Sequence, residues 1–166
     1  YEFVDISQQG QPIRRSHSLC DRVFRSTAGS QSSSGRFQSP RSIFFYGRGG
    51  SQNMSCILRF EAGSGERIRL TFTKTAFGNK ECYSLKDTRT ARWKCDRLYS
   101  SAYSKCGDGF AELRITEYPW PGISIPRDCI CSNISESITI HTLTAPVVEV
   151  NLIITMMNIT EDFNDF

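Results

Sequence analysis

The sequence predicts an all-β protein, an antiparallel β-sandwich. Three observations carry that prediction. Apolar and polar residues alternate in several short runs, as in strands with one buried face. Clusters of Gly, Pro, Ser and Asn separate these runs. No segment keeps a helical period over three turns.

In chain order, Tyr1 to Val4 alternates like a strand, and Gln8-Gln9-Gly10-Gln11-Pro12 breaks it. Residues 1–18 therefore read as a leader, its opening run being a strand of this domain or of a preceding module. Ser26 to Gly35 is a loop by composition. Strands are expected at 41–46, 55–61, 67–75, 110–117, 137–143 and 147–155. Cys56, Leu58 and Phe60 alternate in the second of these, Ile68, Leu70 and Phe72 in the third, and Leu113 and Ile115 in the fourth. Gly63-Ser64-Gly65 supplies a turn. Residues 19–166 read as one domain, with an insert at about 76–109.

The composition limits the setting. The chain has 166 residues, 11% aromatic and 22% charged, which suits one folded domain with a real core. No run of 18 apolar residues is present, the length a spanning helix needs. The opening lacks the charged and apolar regions of a signal peptide, so a piece of a longer secreted or membrane-tethered chain is expected. Seven cysteines and three sequons point to an extracellular location. The sequons are Asn53-Met54-Ser55, Asn133-Ile134-Ser135 and Asn158-Ile159-Thr160, making Asn53, Asn133 and Asn158 candidate glycosylation sites. The cysteine spacings contain no C-x-x-C pair, and only His17 and His141 are available beside them, so no metal site and no cofactor are expected.

Nothing in the chain has the pattern of a catalytic centre. No G-x-S-x-G occurs, and neither histidine sits in a nucleophile motif. Gly47-Arg48-Gly49-Gly50 lacks the spacing and the Lys-Ser/Thr ending of a phosphate loop. The carboxylates are scattered, without the pairing glycoside hydrolysis needs. A non-enzyme is the expectation.

Charge is segregated. Between Cys82 and Cys106 lie Lys86, Arg89, Arg92, Lys94, Arg97 and Lys105, against Asp87 and Asp96. After Arg127 every charged residue is acidic. The basic insert, read as a loop held by disulfide, is a candidate site for an acidic partner or a sulfated glycan, because clustered positive charge steers anions. Arg89, Arg92, Trp93, Lys94, Arg97 and Tyr99 are its candidate binding residues, since aromatics and arginines favour interface cores. Trp120, between Pro119 and Pro121, is a further candidate: it is preorganised to anchor a partner or to plug one end of the sandwich. Nucleic acid is not an expected partner in an oxidising, glycosylated setting.

Cys20 precedes Gly35-Arg36-Phe37-Gln38-Ser39-Pro40, and Cys56-Ile57-Leu58-Arg59-Phe60 follows. That order of motifs resembles a CUB domain, an extracellular β-sandwich module that binds other proteins. Arg67 to Phe72 is similar to the next strand of that family, Phe110 to Ile115 to a later one, and Pro126 to Cys131 to the segment before its fourth cysteine. The resemblance implies a jelly-roll-like sandwich, a Cys20–Cys56 bridge and non-catalytic recognition. Many members bind calcium through a Tyr, a Glu and two Asp; Phe110 stands at the Tyr position, and the three acidic positions fall near Gly78, at Ala111 and near Asn158. No carboxylate stands at any of them, so that site is expected to be lost, with Asp108 and Asp128 the only substitutes nearby.

For the remaining cysteines the spacing leaves alternatives. Cys82 and Cys95 can staple the insert locally, and Cys106 can then reach Cys129 or Cys131. The set expected in bridges is Cys20, Cys56, Cys82, Cys95, Cys106 and Cys131. The expected function is an extracellular, non-catalytic protein–protein recognition module of a receptor, co-receptor or secreted multidomain protein. Its expected partners are another extracellular protein and neighbouring domains of the parent chain. A sulfated-glycan-binding module is the alternative.

Overall fold

In the computed structural model, residues 10–13, 18, 20–26, 34–39, 53–77, 82–97, 110–141 and 145–155 are described. Among them there is no helix. Ten strands run β1 (Gln11–Pro12), β2 (Arg22–Arg25), β3 (Met54–Glu61), β4 (Arg69–Phe72), β5 (Cys82–Lys86), β6 (Trp93–Arg97), β7 (Phe110–Trp120), β8 (Ile123–Ile130), β9 (Ile138–His141) and β10 (Val147–Thr155). One sheet has six strands in the order β1-β2-β3-β10-β7-β8. Two smaller sheets pair β4 with β9 and β5 with β6.

Alternation decides which face is buried. Val148, Val150, Leu152 and Ile154 of β10 all lie buried, and their neighbours stay half-exposed. Met54, Cys56 and Leu58 of β3 and Ala111, Leu113 and Ile115 of β7 complete that inner face. Leu70 and Phe72 of β4 and Ile138 and Ile140 of β9 cover it, forming one core with the six-stranded sheet. Each buried aliphatic or aromatic side chain contributes about 1.5–3 kcal/mol relative to exposure, so this layer contact dominates stability.

Phe37, from the Gly-aromatic-x-Ser-Pro segment, seals one side of the core. Its ring lies 5.0 Å from Phe60 and meets Phe72 edge-on at 5.8 Å, while Phe24 stacks on Phe60 at 4.9 Å. Cys20 and Cys56, both within the same core, are bridged.

Several expectations need correction. The sheet is mixed, because β2 runs parallel to β3, with Arg22 opposite Leu58 and Arg25 opposite Glu61. A hairpin would force antiparallel pairing, but the long connection from Arg25 to Met54 allows a crossover. Gln11 and Pro12, read as a strand break, form β1 against β2. Proline is tolerated there because the strand is at the sheet edge. The insert expected as a loop contains a hairpin, β5–β6. β8 was not anticipated, since Pro126 lies within it. It too is an edge strand, and the ladder slips between Ile115 and Thr116 where Thr116 pairs with Pro126. The strands expected at 1–4 and 41–46 lie outside the described residues.

Candidate functional site

The β5–β6 hairpin is tied to the end of β8 by two disulfides. They pair Cys82 with Cys131 and Cys95 with Cys129, with Cα separations of 5.8 and 5.3 Å. This corrects the local Cys82–Cys95 staple and the expected bridge from Cys106 to Cys129 or Cys131, and it puts Cys129, left out of the expected set, in a bridge. Cys129 and Cys131 project from one strand end, and the hairpin lies across both, so each finds a partner there. Cys106 lies outside the described residues. Hydrogen bonds reinforce the tie. Ser84 Oγ accepts from the Cys131 and Ser132 amides at 2.9 and 3.1 Å, and the Ser84 amide donates to Ser132 Oγ at 3.1 Å. At the other end of the hairpin the Trp93 amide donates to Asp128 Oδ1 at 2.7 Å.

The register places Lys86 opposite Trp93 at the closed end and Cys82 opposite Arg97 at the open end. Trp93 meets Asp128, while Cys82 meets Cys131. The hairpin turn therefore points in the same direction as the β7–β8 turn. That second turn is Trp120-Pro121-Gly122-Ile123, with Trp120 opposite Ile123 and Gly122 at φ 81°. Proline followed by a positive-φ glycine is the pattern of a type II turn. Two hairpin tips thus face one end of the molecule.

Apolar surface is concentrated on these two hairpins. Tyr83, Leu85, Trp120, Ile123 and Ile125 are the large hydrophobics exposed among the described residues, Trp120 at 66% and Leu85 at 53%. Tyr83 and Leu85 face outward because Cys82 and Ser84, on the opposite face of β5, are turned to β8.

Part of the basic charge here is engaged. Lys94 Nζ lies 2.7 Å from Asp87 Oδ2, and Asp87 Oδ1 also accepts from the Arg89 and Thr90 amides. The Lys94 bond, then those two amides, hold the Asp87 carboxyl down at about 2. Burial pushes Asp128 above the ordinary aspartate value, against the pull of the Trp93 amide, Arg127 and Arg92. Arg92 and Trp93 are half-buried, with Trp93 packed against the core. Arg89 is exposed. Arg97 is in β6, and Tyr99 lies outside the described residues. Of the seven candidate binding residues, the fold thus brings Arg89, Lys94 and Trp120 to the surface at this end. It turns Trp93 into a support. Tyr83, Leu85, Ile123 and Ile125 were missed. An apolar–polar alternation in Cys82-Tyr83-Ser84-Leu85-Lys86 was visible, but burial of Cys82 rather than Leu85 depends on the bridge.

At the calcium-ligand positions taken from the family resemblance, Ala111 is a buried core residue of β7. Gly78, Asp108 and Asn158 lie outside the described residues. The Asp128 carboxylate is occupied by Trp93 and Arg127. Of the sequon asparagines, Asn53 is exposed just before β3, and Asn133 is exposed with its Oδ1 accepting from the Phe77 amide at 2.6 Å. That bond leaves the Asn133 side-chain nitrogen, the atom a glycan joins, uncommitted to it.

The outer face of the large sheet differs in character. Arg25, Glu61, Arg59 and Glu149 form a chain of ion pairs across β2, β3 and β10, each 2.7–2.8 Å long. Tyr118 of β7 ends the chain by donating to Glu149 Oε2 at 2.7 Å. Burial, then the Glu149 bond, raise the Tyr118 hydroxyl to about 12. Arg59 holds Glu61 below the ordinary glutamate value. The groups satisfy one another, which suits a solvated face more than a waiting one.

Compared with known proteins, the chain matches no family model, no curated protein and no solved structure. The three disulfides among the described residues point to an oxidising environment.

Proposed function

We propose that this chain is an extracellular, non-catalytic recognition module, a divergent relative of CUB domains, that grips another extracellular protein with the β5–β6 and β7–β8 hairpins. One observation carries the reading: every exposed large hydrophobic among the described residues lies on β5, at the β7–β8 turn or in the first residues of β8. Scattered surface apolar residues need no explanation, but clustered ones mark interaction sites. A tryptophan presented on a proline-stiffened turn is the residue type that dominates binding energy. Two disulfides hold the platform in place before binding, which lowers the ordering cost.

The sulfated-glycan alternative draws on the same basic hairpin. It is the weaker reading, because Lys94 is paired with Asp87 and Arg92 is within electrostatic reach of Asp128. Labelled protein applied to cell surfaces separates the two. Binding that survives enzymatic removal of sulfated glycans, is lost after mild surface proteolysis, and falls about tenfold or more in Trp120→Ala/Leu85→Ala supports protein recognition, tenfold being about 1.4 kcal/mol. Binding that vanishes with the glycans and falls steeply with salt supports the alternative. Binding indifferent to both residues removes this surface from consideration.

A further inference from the structure

The two bridges between the hairpin and β8 are neighbours in space as well as in sequence. The sulfurs of Cys82, Cys95 and Cys131 all lie within 4.8 Å of one another, although Cys95 is bonded to Cys129 and Cys82 to Cys131. Their burial differs. Cys95 and Cys129 are half-buried, whereas Cys82 is 7% exposed and Cys131 fully enclosed. A solvent-borne thiol can reach the outer bridge, and the inner one is shielded by protein.

Glu112, 1% exposed and ion-paired with Arg114, lies beside the outer bridge, with a carboxylate oxygen within 4.8 Å of both the Cys95 and the Cys129 sulfurs. It does not choose between them. Position does: Cys95 is the sulfur that also lies beside the inner bridge, so attack on Cys129, which releases Cys95, is the opening that can be passed on.

We propose that the four cysteines form a thiol–disulfide exchange site whose co-reactant is an external dithiol. The dithiol attacks Cys129 Sγ. A mixed disulfide forms, the Cys95–Cys129 bond breaks, and Cys95 leaves as a thiolate. The second thiol of the reductant then displaces Cys129 and closes an oxidised dithiol ring. Cys95 attacks Cys82 or Cys131, forms a new bridge there, and expels the other cysteine as a thiolate that takes up a proton. One dithiol supplies two electrons and two protons, which end on Cys129 and on the expelled cysteine. The bridge count falls by one, and the second step moves no net electrons. Attack on Cys82 leaves a Cys82–Cys95 bridge within the hairpin and no covalent tie to β8. The exchange is a property of the sulfur cluster and stands whether or not the hairpin binds a partner.

The test uses the whole chain carrying Cys106→Ser, so that the seventh cysteine takes no part. It is treated under native conditions with a small dithiol in equimolar amount, quenched with acid and alkylated, and its unreduced peptides are mapped by mass spectrometry. The separate Cys20–Cys56 bridge is an internal reference for an intact core. Expected are peptides joining Cys95 to Cys82 or Cys131, with Cys129 and the remaining cysteine alkylated and Cys20–Cys56 preserved. In Cys95→Ala/Cys129→Ala on the same background, the inner bridge should be reduced about tenfold or more slowly, because no internal thiolate remains to attack it. Three results overturn the proposal: Cys95 and Cys129 alkylated with Cys82–Cys131 intact, inner-bridge reduction as fast without the outer cysteines, or neither bridge opening before Cys20–Cys56. Circular dichroism of the double variant, matching the parent, guards against reading misfolding as slow exchange.

Discussion

The inner face of the six-stranded sheet and the β5–β6 hairpin are both built from short alternating strands, yet they are held by opposite means. On β10, β7 and β3 the apolar positions point inward and meet β4 and β9, so burial of area does the holding. On β5 the alternation is inverted. Cys82 and Ser84 point to β8, and Tyr83 and Leu85 point to water. Apart from Trp93, which packs against the core, and the buried Cys82, the hairpin gains little from burial and is fixed by two bridges, Ser84 and the Trp93–Asp128 bond. The contrast separates a part selected for stability from a part free to present apolar surface, because covalent ties need no apolar face.

The contrast can be broken first at the core. Leu113→Ala, at a fully buried site, should lower unfolding free energy by about 2–5 kcal/mol in a denaturant melt. A loss under 1 kcal/mol would mean that the inner face is not the main source of stability. Next comes Cys82→Ala/Cys131→Ala. With Cys95–Cys129 retained, the lost bridge closes only a short remaining loop, and the penalty should be about 3 kcal/mol or less. Amide exchange should show that loss first in β5 and β6, with β10 still protected; equal loss of protection in β10 would join the two regions into one unit.

A smaller effect sits in the hairpin turn, where Ala91 has φ 54°. Glycine adopts that conformation freely, so Ala91→Gly should stabilise by up to about 1 kcal/mol, and a destabilised variant would show that the Ala91 methyl matters more than its backbone. At the exposed tip, Trp120→Ala should shift stability by no more than about 0.5 kcal/mol, as expected for a side chain that presents itself instead of packing.

The outer face adds a pH term. Tyr118 is raised in the fold to about 12 from 10.0, so its contribution is fully present below pH 10 and is lost as pH rises from 10 to about 12. The difference in melting temperature between the parent and Tyr118→Phe should shrink across that window, and a constant difference would detach Tyr118 from the Glu149 chain.

How much was readable before the fold is seen in particular residues. Leu58, Leu70 and Leu113 announce their burial by period alone, and the observed strands around them fall within a few residues of expectation. Phe37 was found as part of a motif, and the fold puts it among Phe24, Phe60 and Phe72. β8 escaped because Pro126 reads as a breaker until the strand is known to lie at an edge. The hairpin escaped because its charge density reads as a loop. In the candidate site, Trp120 and the hairpin arginines were visible as residue types. Their roles were not, because Trp93 and Arg92 differ from Trp120 and Arg89 only in what packs beside them.

By itself the sequence determined that the chain is extended, where most core strands run and which of their side chains turn inward, because those properties follow from the two-residue period of a single strand. Only the tertiary structure decided that β2 runs beside β3 in parallel, that Cys82 joins Cys131 while Cys95 joins Cys129, and that Leu85 faces water. Each of those depends on which distant segment lies alongside, and a sulfur bond forms with whatever packing brings within about 6 Å, whatever the spacing along the chain.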